Sequence, residues 1–180
     1  MKYSFYTAIV VIIILGLTKP TQTDAYTTSQ QKVWQLDENI SLYAIEYSFS
    51  HPNLNLYLPI KSNRDQIWGT QNGKIGYSVF EDGKRITSDG KTVGVVKSSA
   101  ATTEDELYMV PAGSRERFTF YVMLKTAKTD PEADYAIGIT DLPFYRGEDR
   151  SYSRLTPSEL QYYITPEVEF NSSNPSKSVS

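Results

Sequence analysis

Apolar and polar residues alternate along most of the chain with a period of two. In residues 40–51, ISLYAIEYSFSH, Tyr43, Ile45, Tyr47 and Phe49 fall on one side, and Glu46, Ser48 and Ser50 on the other. A strand sends successive side chains to opposite faces, whereas a helix would scatter these aromatics around its circumference. The pattern therefore predicts a strand with one face in the core. Residues 33–36 are expected as a short first strand, after an extended polar lead-in over 26–32. Leu54, Leu56, Leu58 and Ile60 alternate next. Pro59 cannot donate to a ladder, so this strand lies at an edge or ends there. Ile75, Tyr77 and Val79 begin another, residues 92–97 form a further one, and Tyr135, Ile137 and Ile139 one more.

Residues 106–126, ELYMVPAGSRERFTFYVMLKT, alternate on both sides of a Pro-Ala-Gly break. Phe118, Phe120, Val122 and Leu124 share the core parity. Arg115, Arg117, Thr119, Tyr121 and Lys125 share the solvent parity. Pro111 supplies the fixed φ and Gly113 the exit of a type I turn, so the stretch reads as a hairpin whose arginines are its solvated start. Asp82-Gly83 and Asp89-Gly90 bracket a very short piece, RIT; Asp-Gly between apolar runs signals a tight hairpin turn, because both central positions favour positive φ. Residues 61–74, 97–105 and 144–154 read as polar connections. Thr156, Pro157 and Glu159 make a capping box with proline at the first helical position, which predicts a short helix towards Tyr162. Residues 167–170 suggest a last strand, and 171–180 a disordered, serine-rich tail.

Short strands recurring with turns between them predict an all-β fold: a two-sheet antiparallel, Ig-like sandwich over residues 26–170, with one short helix near the C-terminus. A closed barrel is the alternative. The absence of βα alternation argues against a nucleotide-binding α/β fold.

Residues 1–25 change the picture of where the protein works. Lys2 is followed by an apolar run over 8–17 and then by Thr23-Asp24-Ala25. At 1.5 Å per residue the run is too short for a hydrocarbon core of roughly 30 Å, and it reads as a secretory signal peptide cleaved near Ala25. An uncleaved anchor is the other reading, and then only this segment touches membrane. Either way the expected location is outside the cell or in its envelope.

Composition removes several chemistries. With no cysteine and one histidine, thiol catalysis and the usual zinc sets are out of reach. The formal net charge of −3 and the lack of a basic block argue against a nucleic-acid partner. The histidine, His51, precedes Pro52 and reads as a turn or surface residue. No Gly-x-Ser-x-Gly elbow and no phosphate loop occurs in the sequence, and no cofactor is expected.

Two patterns resemble known proteins. YAIGITDLPFY (135–145) followed by LTPSELQYYITPEVEF (155–170) resembles the C-terminal part of a group of uncharacterised secreted bacterial proteins. ISLYAIEYSF and VPAGSRERFTFYVML are similar to their upstream strands. The resemblance implies an Ig-like or fibronectin-like sandwich exported from a bacterium, and carries no active site to transfer.

Candidate site residues are few. Asp130, Glu132 and Asp134 alternate in an acidic loop, oxygen ligands of the kind that hold Ca²⁺, but without the glycine and distal glutamate of an EF-hand. Trp34, Trp68, Tyr145, Tyr152, Tyr162 and Tyr163 lie in or near connections. There they either cap the ends of the sandwich or stack on a partner protein or glycan. These residues suggest a non-enzymatic surface or envelope module acting through protein contacts. A carbohydrate-binding module and a carboxylate-dependent hydrolase are the alternatives.

Overall fold

The computed structural model describes residues 25–37, 39–87, 90–126 and 133–169. The expected signal segment before Ala25, the tail at 171–180, and Asp130 and Glu132 of the acidic loop lie outside these residues. The chain opens with β1 (Ala25–Asp37), β2 (Ile40–Ser50), β3 (Leu56–Pro59), β4 (Ser62–Arg64), β5 (Ile75–Glu81), β6 (Lys84–Ile86) and β7 (Lys91–Ser98). It continues through β8 (Ala101–Thr102), β9 (Leu107–Val110), β10 (Arg115–Lys125), β11 (Asp134–Asp141), β12 (Pro143–Arg146) and β13 (Ser151–Arg154). The helix α1 (Pro157–Leu160) and β14 (Val168–Glu169) close the described chain.

The strands form an antiparallel all-β sandwich. One layer is a sheet in the order β1-β2-β10-β7. The other layer is divided: β14-β11-β5-β4, with β6 on β5, and β13-β12-β3-β9-β8. The near-continuous run of β11 and β12 through Leu142 links its two parts. A single parallel pair among the described strands, β4 with β5, departs from the antiparallel rule.

The predicted core parity holds. Tyr43, Ile45, Tyr47 and Phe49 of β2 are buried, as are Phe118, Phe120, Val122 and Leu124 of β10, while Arg115 and Arg117 are exposed. Aromatic rings from the two layers meet in the middle. Phe49 lies 5.3 Å from Phe144, Phe120 lies 5.3 Å from Tyr77, and Phe118 lies 5.7 Å from Tyr108. Each such ring buries roughly 150–250 Å², so a core of this make-up needs no disulfide. Two of the buried phenols find acceptors: the Tyr108 hydroxyl donates to the Val96 carbonyl at 3.2 Å and that of Tyr43 to the Tyr135 carbonyl at 3.3 Å, whereas the buried Tyr47 and Tyr163 hydroxyls have no hydrogen-bond partner among the described residues.

Several local expectations need correction. The stretch over 106–126 is not a hairpin. β9 pairs with β3 and β8, and β10 with β2 and β7, so the turn between them carries the chain from one layer to the other. Ser114 N–H donates to the Pro111 carbonyl at 3.0 Å, and Gly113, with φ +78°, occupies the third turn position. Positive φ at that position is the mark of a type II turn starting at Pro111, not a type I turn starting at Val110. The lead-in over 26–32 is strand, because β1 pairs with β2 along its length despite its polarity. There the Thr27 hydroxyl meets that of Ser48 at 2.9 Å, and Lys32 meets Glu46 at 3.3 Å. The polar segment 144–154 contains the β12–β13 hairpin. Of the two placements expected for Pro59 the second holds: β3 is interior to its sheet, and the strand ends at Pro59. His51 does hold a turn, its Nδ1 accepting from Asn53 N–H at 3.1 Å and Leu54 N–H at 2.9 Å, but it is buried rather than on the surface. Asp82-Gly83 is the expected tight turn, with φ of +48° and +71°.

Candidate functional site

The connection between β4 and β5 begins with Asp65-Gln66 and then presents Ile67 and Trp68 to solvent, 59% and 47% exposed. It stays in place because its backbone and amides are tied to the sheet. Gln66 Nε2 donates to the Lys74 carbonyl at 3.1 Å and to Asp141 Oδ2 at 3.0 Å, and its backbone carbonyl accepts from the Thr140 hydroxyl at 2.5 Å. The Trp68 indole N–H donates to the Leu155 carbonyl at 2.8 Å. The ring is thus fixed in orientation while much of its area stays open.

Beside it lies a hollow of about 310 Å³, walled by Ile67, Trp68, Phe80, Ile139, Leu160 and Ile164, with Arg85 and Gln161 among its polar lining. Its floor depends on a glycine. A Cβ at Gly138 would come 2.9 Å from Phe80 Cε2 and 3.1 Å from Ile164 Cγ1, so only glycine lets those two side chains meet there. The α1 segment forms one wall. Glu159 caps the helix by accepting from Thr156 N–H at 2.6 Å and from its hydroxyl at 2.8 Å, and it also accepts from the Tyr26 hydroxyl. Burial pushes the Glu159 carboxyl up, but those hydrogen bonds outweigh it and hold the group below the usual carboxylate range.

On the other side of Trp68 an arginine joins it to the hairpin. The Arg154 guanidinium lies 5.3 Å over the Trp68 ring and 5.0 Å over that of Tyr152. Tyr152 meets Tyr145, its cross-strand partner, edge to face at 5.6 Å and 71°. Beneath Arg154 sits Asp141, fully buried, its Oδ1 3.8 Å from Arg154 Nη1. Burial raises the Asp141 carboxyl above its ordinary range, and the Gln66 hydrogen bond and the Arg154 charge offset this only in part. The result is a stack of Trp68, Arg154, Tyr152 and Tyr145 next to an apolar hollow. Such a surface can hold an apolar side chain in the hollow and offer guanidinium and phenol groups around it.

The predicted site residues separate. Trp68, Tyr145 and Tyr152 come together. Tyr162 is 64% exposed on the segment after α1 and lines a second hollow with Tyr26 and Glu159. Tyr163 is no surface residue: it is 2% exposed, with its ring 5.9 Å from Tyr47, because the segment after α1 turns it inward. Trp34 is not among the residues that line the hollow; it lies on the outer face of β1 beside Leu42. Asp134, the one described member of the acidic trio, begins β11, and its N–H donates to Asp82 Oδ1 at 3.1 Å. Ile67, Phe80, Arg154 and Ile164 escaped the sequence reading. Ile67 beside Trp68 in an otherwise polar segment was the available signal; the others sit at outward or connecting positions that parity assigns to solvent.

No protein-family model, curated protein or solved structure matches the chain.

Proposed function

We propose that the chain is an exported, non-enzymatic Ig-like module that works at the cell surface or in the envelope through protein contacts, with the Trp68 hollow as its contact surface. The observation that carries this reading is the fixed, half-open Trp68 between an apolar hollow and an arginine–tyrosine stack. Trp, Tyr and Arg beside a pocket are the composition of interface hot spots. The Ig-like part is supported by strand order. Lettering β1, β2, β5, β7, β10, β11 and β14 as A to G puts the layers in the order A-B-E-D and G-F-C, as in constant-type immunoglobulin domains. Export and a bacterial source rest on the N-terminal pattern and on the resemblance of residues 135–170 to secreted bacterial proteins.

Protein contact is favoured over glycan stacking because the rings do not form a common platform. Arg154 covers one face of Trp68, and Tyr145 and Tyr152 stand at 71° to each other. It is favoured over carboxylate hydrolysis because two facing carboxylates are required for that chemistry, and the lining of the hollow among the described residues holds neither. The test is retention of envelope proteins on the immobilised chain. Trp68→Ala is expected to weaken retention of a specific partner by about thirtyfold, the effect of losing a hot spot of about 2 kcal/mol, while Lys84→Ala leaves it intact. Equal retention by wild type and Trp68→Ala, with the fold verified by circular dichroism, would overturn the assignment of the surface.

A further inference from the structure

The outer face of the β1-β2-β10-β7 sheet, away from the core, carries a pattern that the Trp68 hollow does not use. Register places Trp34 beside Leu42, Leu42 beside Met123, and Met123 beside Val93. That is an apolar row crossing every strand of the sheet. The next row outward along the strands is Lys32, Ala44, Tyr121 and Val95. Val93, Met123 and Val95 are 56%, 42% and 40% exposed. Directly opposed residues lie about 4.5–5.5 Å apart, so these side chains form one continuous patch.

Cations flank the patch at both ends. Lys125 and Lys91 oppose each other directly beyond the first row. Lys97, Arg117 and Arg115 lie on the same face beyond the second. Among the described residues none of these cations has a carboxylate partner. Among the described residues the carboxylates that register places on this face are Asp37 and Glu46, and Glu46 is already paired with Lys32. Positive charge therefore gathers here in a chain whose formal net charge is −3. Like charges set directly opposite in a ladder repel, a cost that an external anion would relieve.

The β7 edge of the sheet is closed to a partner strand. The Gly90 carbonyl, just before β7, accepts from Arg64 Nη1 at 2.5 Å, and on β7 the Gly94 and Val96 carbonyls accept from the Ser62 hydroxyl at 2.9 Å and the Tyr108 hydroxyl at 3.2 Å. These side chains occupy acceptors that an added strand would need. What remains open at this end of the sheet is the face.

We propose that this face docks on an anionic lipid surface. The chemistry fits such a surface better than a protein. Lysine is depleted in protein interfaces, whereas lysines beside an apolar patch are the usual means of holding anionic headgroups. Trp34 and Tyr121 place amphipathic rings in the patch, and such rings settle at headgroup depth. Val93, Val95 and Met123 supply the apolar contact, and the flanking cations supply the attraction. The proposal stands apart from the Trp68 hollow and does not depend on it.

The test uses the chain from Ala25 onward, which holds every described element and lacks the N-terminal apolar run. It is mixed with phosphatidylcholine vesicles, either pure or with about one-third phosphatidylglycerol, and sedimented. Binding to the anionic vesicles alone is expected, falling about tenfold when salt is raised to roughly 0.5 M. The double variant Lys91→Glu, Lys125→Glu is expected to lose about tenfold or more, since each surface cation contributes near the membrane. The double variant Val93→Ser, Met123→Ser should also bind more weakly, at low salt. Both variants change exposed positions, so unchanged melting curves would show that the fold is intact. The same substitutions in the full chain provide a comparison in which the N-terminal run is constant. Equal binding to neutral vesicles, no binding to either, or indifference to charge reversal would overturn the proposal. Retention on poly-glutamate without vesicle binding would overturn it in favour of an acidic protein face.

Discussion

Phe120 offers the sharpest test of the packing. It is fully buried in β10, with its ring 5.3 Å from that of Tyr77 at 65°. Phe120→Ala removes the ring from the contact between the layers. Truncating a buried phenylalanine costs about 3–5 kcal/mol, the lower values arising where neighbours collapse into the space. Collapse is hindered here. One wall is Gly94, where an added Cβ would come 3.0 Å from Phe120 Cζ and 3.0 Å from Tyr77 Cε1. Glycine has no side chain to swing inward, and β10 is held on both sides by β2 and β7. The expected loss is therefore in the upper half of the range, about 4–5 kcal/mol. Tyr121, its neighbour, faces outward and is only half-buried, so Tyr121→Ala should cost clearly less. Arg117→Ala should stay within about 0.5 kcal/mol, as exposed changes usually do. Urea unfolding followed by the fluorescence of Trp34 and Trp68 measures all three. A loss below about 2 kcal/mol for Phe120→Ala would refute the cavity argument. Equal losses at Phe120 and Tyr121 would mean that both faces of β10 are buried, or that its register is slipped by one residue.

Asp141 predicts a pH dependence with a definite sign. Its carboxyl is raised in the folded chain by burial, so the native state holds the proton more tightly than the unfolded state does. Stability should then fall as pH rises from the ordinary carboxyl pKa through the folded one, and the penalty should persist above it. Asp141→Asn lacks that slope. Its stability relative to wild type should improve between about pH 3 and about pH 7, measured by urea melts; a difference independent of pH would contradict the raised pKa. Gly113→Ala forces a side chain onto a φ of +78° and should cost about 1–2 kcal/mol by the same assay. A neutral result there would speak against the type II turn between the layers.

Much of the fold was legible in the sequence because its signals are local. The parity of Phe118, Phe120, Val122 and Leu124 follows from the pleat of a single strand, and no partner is needed to read it. Asp82-Gly83 and the Thr156–Glu159 cap act within a few residues, and both appear where the sequence places them. The all-β class followed from such elements in series. Which strands pair did not. Pro111 and Gly113 specify that the chain reverses, but the choice between a hairpin and a crossing of layers lies with β2 and β3, which come far earlier in the sequence and take up β10 and β9 through long-range pairing. The same limit hid the candidate surfaces. Tyr163 resembles Tyr162 in sequence, and only the path after α1 buries one and exposes the other. Ile67, Phe80 and Ile164 become one hollow only because Gly138 lets β5 and the segment after α1 close over β11. Trp34, Leu42, Met123 and Val93 lie on four separate strands, and the antiparallel register alone sets them in a row. The sequence by itself determined which side chains share a face of each strand, since that depends on backbone geometry. The tertiary structure decided which faces meet, since that depends on contacts between residues far apart in the chain.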